Sequence, residues 1–176
     1  MIAFDGPSHG FSSKAETSLF EFSSLVGLIL KKYNPAKIIS HSLGGVVTTY
    51  ALYNNPEIQI DKYLLLTTPD RFDQRIDDIA RTVGISEGVK KKLISKVEHE
   101  LNVVVADFTV SDFVQKINVK SALIIHDEND QIIPINQSAT VCANWEVCSI
   151  KPIKGTGHFR ILSTPSVIKD VVDYMQ

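Results

Sequence analysis

Residues 37–50 read KIISHSLGGVVTTY, two apolar runs parted by Ser-His-Ser-Leu-Gly-Gly. The first run reads as a buried strand. The second continues through Val46, Val47, Tyr50, Ala51 and Tyr53 at helical spacing until Asn54-Asn55-Pro56 stops it. The chain must therefore turn sharply around Ser42. This is either a plain strand-to-helix connection through two glycines or a turn that holds Ser42 up as a nucleophile. In the second case the backbone is strained, and the residues two positions to either side must be small to clear the adjoining strand and helix. Ser40 and Gly44 meet that need. The N–H of Leu43 would then open the helix with its positive end towards an incoming oxyanion.

Working outward, strands and helices alternate. MIAF is a short apolar run ended by the turn formers DGPSHG and reads as a strand. Ser18 with Glu21 forms a capping box, and Leu19, Phe22, Val26, Ile29 and Leu30 repeat as one helix face until Tyr33-Asn34-Pro35. KYLLLTT is a continuous apolar run of the kind found where both sheet faces are covered. Phe72, Ile76, Ile79 and Val83 then fit one helix, Gly84 breaks it, and Val89, Leu93, Val97 and Leu101 fit another. The alternation resumes with SALIIHDEND, a helix around Gln137 to Ala143, WEVCSIKP as a strand, a turn at KGTGHF and a last helix from about Pro165 to Met175. This order predicts an α/β domain, a mostly parallel sheet with crossover helices on both faces.

The totals set bounds. A chain of 176 residues, 44% hydrophobic, is expected to form one domain with a sizeable core over 1–176. A formal net charge of −2 with both signs interspersed offers no footprint for nucleic acid or an anionic membrane. Lys90-Lys91-Lys92 reads as a solvated helix face. Cys142 and Cys148 lack the spacing of a redox Cys-x-x-Cys or a zinc site, which points to a reducing compartment. No basic segment followed by a long apolar stretch opens the chain and no window reaches membrane-span length, so the expectation is a soluble, cytoplasmic protein.

A serine hydroxyl is a poor nucleophile until a base takes its proton and a third group orients the base. Both kinds of residue stand downstream. IIHDENDQIIP places Asp127, Glu128, Asn129 and Asp130 beyond a strand end, and GTGHF places His158 in a glycine-bracketed loop after the last strand. His9 reads as a brace for its own turn, His41 as packing beneath the Ser42 turn, and His126 as a strand end. His99 lies on a charged helix, where EHEL lacks the second histidine of a zinc helix, so neither a metal nor a cofactor is expected.

Ser, Asp and His, each beyond a different strand and in that chain order, resemble the α/β-hydrolase superfamily. SHSLGG is similar to its nucleophile elbow, with Ser40 where the first glycine usually stands. HDENDQIIP is similar to its acid loop and GTGHF to its histidine loop. FDGPSHGFSS is similar to the loop after its fourth strand, usually Asp-x-Pro-Gly-His-Gly-x-Ser. The resemblance implies Ser42 as nucleophile, His158 as base, Asp130 as acid, with Asp127 or Glu128 as rivals, and Leu43 N–H as an oxyanion donor. It implies a cofactor-free serine hydrolase acting on a carboxylic ester or thioester through an acyl-enzyme.

The same resemblance implies a helical lid over 69–118, its two apolar stripes buried over the strand ends and walling an apolar pocket for an acyl chain or other hydrophobic acid. It also implies that three strands and a helix are absent ahead of MIAFDGPSHG, among them the strand whose following loop supplies a second oxyanion donor. The KIIS strand is then an exposed sheet edge, to be covered by the first strand, by a second copy of the chain or by more of a longer protein. Loss of one oxyanion donor costs on the order of 10²–10³ in rate, so the alternative reading is a non-catalytic binding or assembly module that keeps the triad residues.

Overall fold

The computed structural model describes residues 1–14, 17–101 and 103–176, with backbone alone at 100 and 101. In chain order the elements are α1 (Leu19–Tyr33), β1 (Lys37–His41), α2 (Leu43–Tyr53), β2 (Gln59–Ile60), β3 (Lys62–Leu66), α3 (Phe72–Val83), α4 (Glu87–Leu101), α5 (Val110–Phe113), β4 (Asn118–Val119), β5 (Ala122–Asp127), α6 (Ile135–Ala143), β6 (Cys148–Ile153), α7 (Gly157–Arg160) and α8 (Pro165–Met175). Four strands pair in the order β1-β3-β5-β6, every pair parallel. β2 and β4 form a separate two-residue parallel ladder.

The leucine-rich β3 shows how the sheet is buried. Successive side chains of a strand point to opposite faces. Tyr63 and Leu65 enter one core with Val26, Val47, Leu52, Phe108 and Trp145, under α1, α2, α5 and α6. Leu64 and Leu66 enter a second with Ile125, Ile161 and Val167, under α8. A continuous apolar run is thus what a strand covered on both faces needs. The Tyr63 hydroxyl, fully buried, has Ser40 Oγ and the Gly45 carbonyl, each at 3.3 Å, as acceptors sharing its one proton. Burial pushes that phenol up to about 12, against the pull of its bonds with Ser40, Thr49 and Thr48.

Helix ends follow their caps. The Ser18 hydroxyl accepts from Glu21 N–H and the Glu21 carboxylate accepts from Ser18 N–H, a complete capping box, and α1 ends at Asn34 in left-handed backbone. At the far end of α8, Lys62 Nζ donates to the Tyr174 carbonyl at 2.8 Å, and Lys37 Nζ donates to Met175 and Gln176 carbonyls. These cations face the negative end of the helix and tie it to two sheet strands.

Three expectations change. MIAF forms no strand: residues 1–6 have no regular structure, and Phe4 meets the ring of Phe22 edge-on at 6.5 Å. A strand exists only with a ladder partner, and an apolar run carries the same letters whether or not it finds one. Among the described strands β1 pairs with β3 alone, and a groove of about 580 Å³ runs beside it between Ile2, Phe4, Tyr33, Ile38 and Ile39. Next, the stripes of α3 and α4 are not fully covered. Ile79, Val83, Val89 and Leu93 are each half or more exposed, while the side chain of Leu101 lies outside the described residues. Finally, Cys142 and Cys148 form a disulfide, their Cα atoms 5.3 Å apart, joining the end of α6 to the start of β6. Disulfides persist in oxidising surroundings, which removes the support that the cysteines lent to a reducing compartment. No helix among the described residues is long and apolar enough to cross a membrane.

Candidate active site

Ser42 sits between β1 and α2 with φ 53° and ψ −123°, a conformation that L-residues seldom take. The adjoining strand holds it there. Its N–H donates to the Thr67 carbonyl at 2.9 Å and approaches that of Leu66 at 3.2 Å, just past the end of β3. Thr67 is itself in left-handed backbone at φ 51°, costly for a β-branched residue, and its buried hydroxyl finds no partner among the described residues. Two strained residues, one just beyond each of two paired strands, are thus joined by a backbone hydrogen bond. Leu43 is the first residue of α2, so its N–H has no acceptor within the helix and lies beside the Ser42 hydroxyl's own backbone.

The small-residue requirement falls elsewhere than the spacing suggests. A Cβ on Gly44 would meet nothing within 4 Å, whereas one on Gly45 would lie 2.8 Å from Leu65 Cδ2 and 3.1 Å from Thr68 Oγ1. Gly45 is therefore the glycine that lets α2 approach β3. Ser40 is accommodated with a use for its hydroxyl, which accepts from Tyr63 and donates to Thr48 Oγ1 at 3.3 Å.

Asp130 and His158 meet Ser42 at this turn. His158 Nε2 lies 3.0 Å from Ser42 Oγ, and His158 Nδ1 lies 2.9 Å from Asp130 Oδ2. The histidine and the aspartate are both nearly buried and Ser42 is half-buried. The other Asp130 oxygen accepts from the N–H groups of Ile132 (2.8 Å) and Ile133 (3.0 Å). Burial pushes this carboxyl up, but the Ile133 amide, the His158 imidazole and the Ile132 amide outweigh it and hold it below its ordinary value. An ionised Asp130 on Nδ1 requires Nδ1 to carry a proton and leaves Nε2 free to accept one from Ser42.

The rival carboxylates are engaged elsewhere. Glu128 pairs with Lys154 at 3.0 Å on the surface. Asp127 is fully buried and bonds to Asn129, Thr156 and Gly157, not to the His158 ring. Two histidines stand closer to the relay than their letters suggest. The His41 ring lies 4.9 Å from that of His158, and its Nε2 donates to the His158 carbonyl at 2.9 Å. His126 is fully buried, with Nε2 donating to the Ile133 carbonyl at 2.9 Å and standing 3.6 Å from Asp130 Oδ2; Nδ1 meets Ser138 Oγ at 2.7 Å. Burial pushes both of these imidazoles down. His41 and His158 are 117 residues apart, so no local pattern points to their contact. His9 braces its turn through the Pro7 carbonyl at 2.8 Å, and His99 is exposed on α4.

No protein-family model matches the sequence, and no curated protein matches it. Solved structures do match. BpoC of Mycobacterium tuberculosis superposes with a TM-score of 0.71 at 13% identity, over 98% of this chain and 79% of that one. Est1E of Butyrivibrio proteoclasticus, solved with ferulic acid bound, gives 0.68 at 20% identity, over 97% and 75%. The meta-cleavage product hydrolase CumD of Pseudomonas fluorescens gives 0.68 at 15% identity, over 97% and 77%.

The chain has the α/β-hydrolase fold. On that fold, side chains at the carboxyl ends of parallel strands face the loops where ligands bind. Ser42 after β1, Asp130 after β5 and His158 after β6 all lie at that end of the sheet. Fold alone does not fix chemistry; the side chains gathered at this rim do.

Proposed function

We propose that this chain is a serine hydrolase cleaving a carboxylic ester or thioester through an acyl-enzyme. One observation carries the reading: an unbroken relay from Ser42 Oγ through the His158 imidazole to Asp130, with both links at 3.0 Å or less. Ser42 Oγ attacks the carbonyl carbon while His158 Nε2 takes its proton, and Asp130 stabilises the imidazolium. Negative charge gathers on the carbonyl oxygen, towards Leu43 N–H at the head of α2. His158 returns the proton to the departing alkoxide or thiolate, and water repeats the cycle on the acyl-serine.

The surroundings favour an apolar acyl group. Leu43, Ile132 and Phe159 each lie within two residues of a relay member and each is exposed. A rim of this composition gains from burying hydrocarbon and offers little to a charged substrate.

A fluorophosphonate, which phosphonylates only activated serines, tests the reading on the intact chain. Stoichiometric labelling that disappears in Ser42→Ala is the expected result. An unlabelled parent chain would transfer the assignment to a non-catalytic binding module on the same scaffold.

A further inference from the structure

Asp127 is a fully buried carboxylate outside the relay, and every one of its bonds runs to the loops that carry the relay. Oδ1 accepts from Asn129 N–H at 2.8 Å, one residue before Asp130. Oδ2 accepts from Thr156 Oγ1 and from Gly157 N–H, each at 2.8 Å, and from Thr156 N–H. Three of these four donors belong to the two residues that immediately precede His158.

Burying a carboxylate carries a large desolvation cost unless donors are aimed at it, and an apolar or small residue at this strand end would carry none. What the carboxylate adds is a fixed path for residues that otherwise move freely. Gly155 and Gly157 lack a Cβ and both take left-handed backbone, at φ 85° and 61°, with open space around each. On the far side the His158 carbonyl is held by His41. The histidine backbone is thus gripped before and after, with its imidazole spanning two bonds of 2.9 and 3.0 Å that tolerate little drift.

We infer that Asp127 is a positioning residue for His158: its carboxylate clasps Thr156 and Gly157 so that the imidazole stands between Ser42 and Asp130. This rests on the serine-hydrolase reading for its effect on rate and on the geometry alone for its effect on the imidazole. An asparagine at 127 keeps the size but loses the charge and presents an N–H₂ to one set of donors. A misplacement of about 1 Å costs on the order of 10²-fold in rate.

The experiment compares Asp127→Asn and Thr156→Val with the parent chain, reading both the rate of fluorophosphonate labelling at Ser42 and the downfield proton resonance of the His158 Nδ1–H bonded to Asp130. Val167→Ala, which opens a cavity under α8 in the second core and removes no bond to the relay or to Asp127, controls for lost stability. Labelling of Asp127→Asn should slow about 10²-fold. That of Thr156→Val, which removes one donor, should slow several-fold, the imidazole resonance should broaden or vanish in Asp127→Asn, and Val167→Ala should match the parent. A folded Asp127→Asn that labels at the parental rate with its resonance in place would overturn the inference. If the parent itself is not labelled, the hydrolase reading fails alone, and persistence or loss of the resonance still decides the positioning role. Should Asp127→Asn not fold, slowed labelling of Thr156→Val supports the role and parental labelling overturns it.

Discussion

Burial alone would push the Asp127 carboxyl up, but the bonds it accepts from Asn129, Gly157 and Thr156 bring it from 3.8 down to about 2. A carboxyl depressed on folding contributes stability above its ordinary value and loses it as the pH falls through the folded one. The contribution is on the order of 2 kcal/mol, present above about pH 4 and fading towards about pH 2. Urea unfolding at about pH 5 and about pH 2.5 should therefore show a steeper acid loss in the parent chain than in Asp127→Asn; parallel losses would mean that the clasp is no stronger folded than unfolded. The Ser42 turn, the glycine-flanked His158 and an acid loop were legible as letters, because each is a local arrangement of residue types. The choice among Asp127, Glu128 and Asp130 was not. It depends on which way each side chain turns beyond the strand, and one carboxylate pairs with a surface lysine, one grips a loop and one meets an imidazole.

α2 and α4 differ in how they are held, although both read as helices. α2 buries seven residues between Gly45 and Leu52, against α1 and the sheet. None of the described side chains of α4 is buried, and Lys90 ties the helix to Asp77 of α3 by an ion pair at 2.7 Å. Local opening follows local burial, and surface ion pairs add little. Native-state hydrogen exchange should find the α4 amides exchanging through local opening, at least about 10²-fold faster than those of α2, which should open only with the whole fold. Equal protection would show that something covers α4 in solution. The capping box of α1 and the Gly84 break after α3 were readable because a cap or a stop is written within a few residues. MIAF misled because a ladder needs a partner that an apolar run does not name, and without one its four residues stay exposed.

The sheet as a whole ends on one side at β1, where Ile39 is half exposed and the outer backbone groups face the groove beside residues 1–4. An apolar edge strand of this kind is a template for pairing with another chain. Ile39→Lys should reduce concentration-dependent association measured by light scattering while leaving the melting temperature within a few degrees of the parent; unchanged association would mean that the edge is covered in solution. The alternation of strands and helices from α1 onward, their parallel pairing, the turn at Ser42 and the placing of an acid loop and a histidine loop beyond later strands were determined by the sequence itself. Periodicity, caps and the right-handed crossover leave few ways to fold alternating strands and helices. Only the tertiary structure decided that Gly45 and not Gly44 is the close-packed glycine, that Cys142 and Cys148 join, that residues 1–6 stay out of the sheet, and that Asp127 and His41 hold His158 from either side. Each of these depends on how elements come to rest against one another, whether six residues apart, as the two cysteines are, or more than a hundred, as His41 and His158 are, and local patterns of residues carry no record of that.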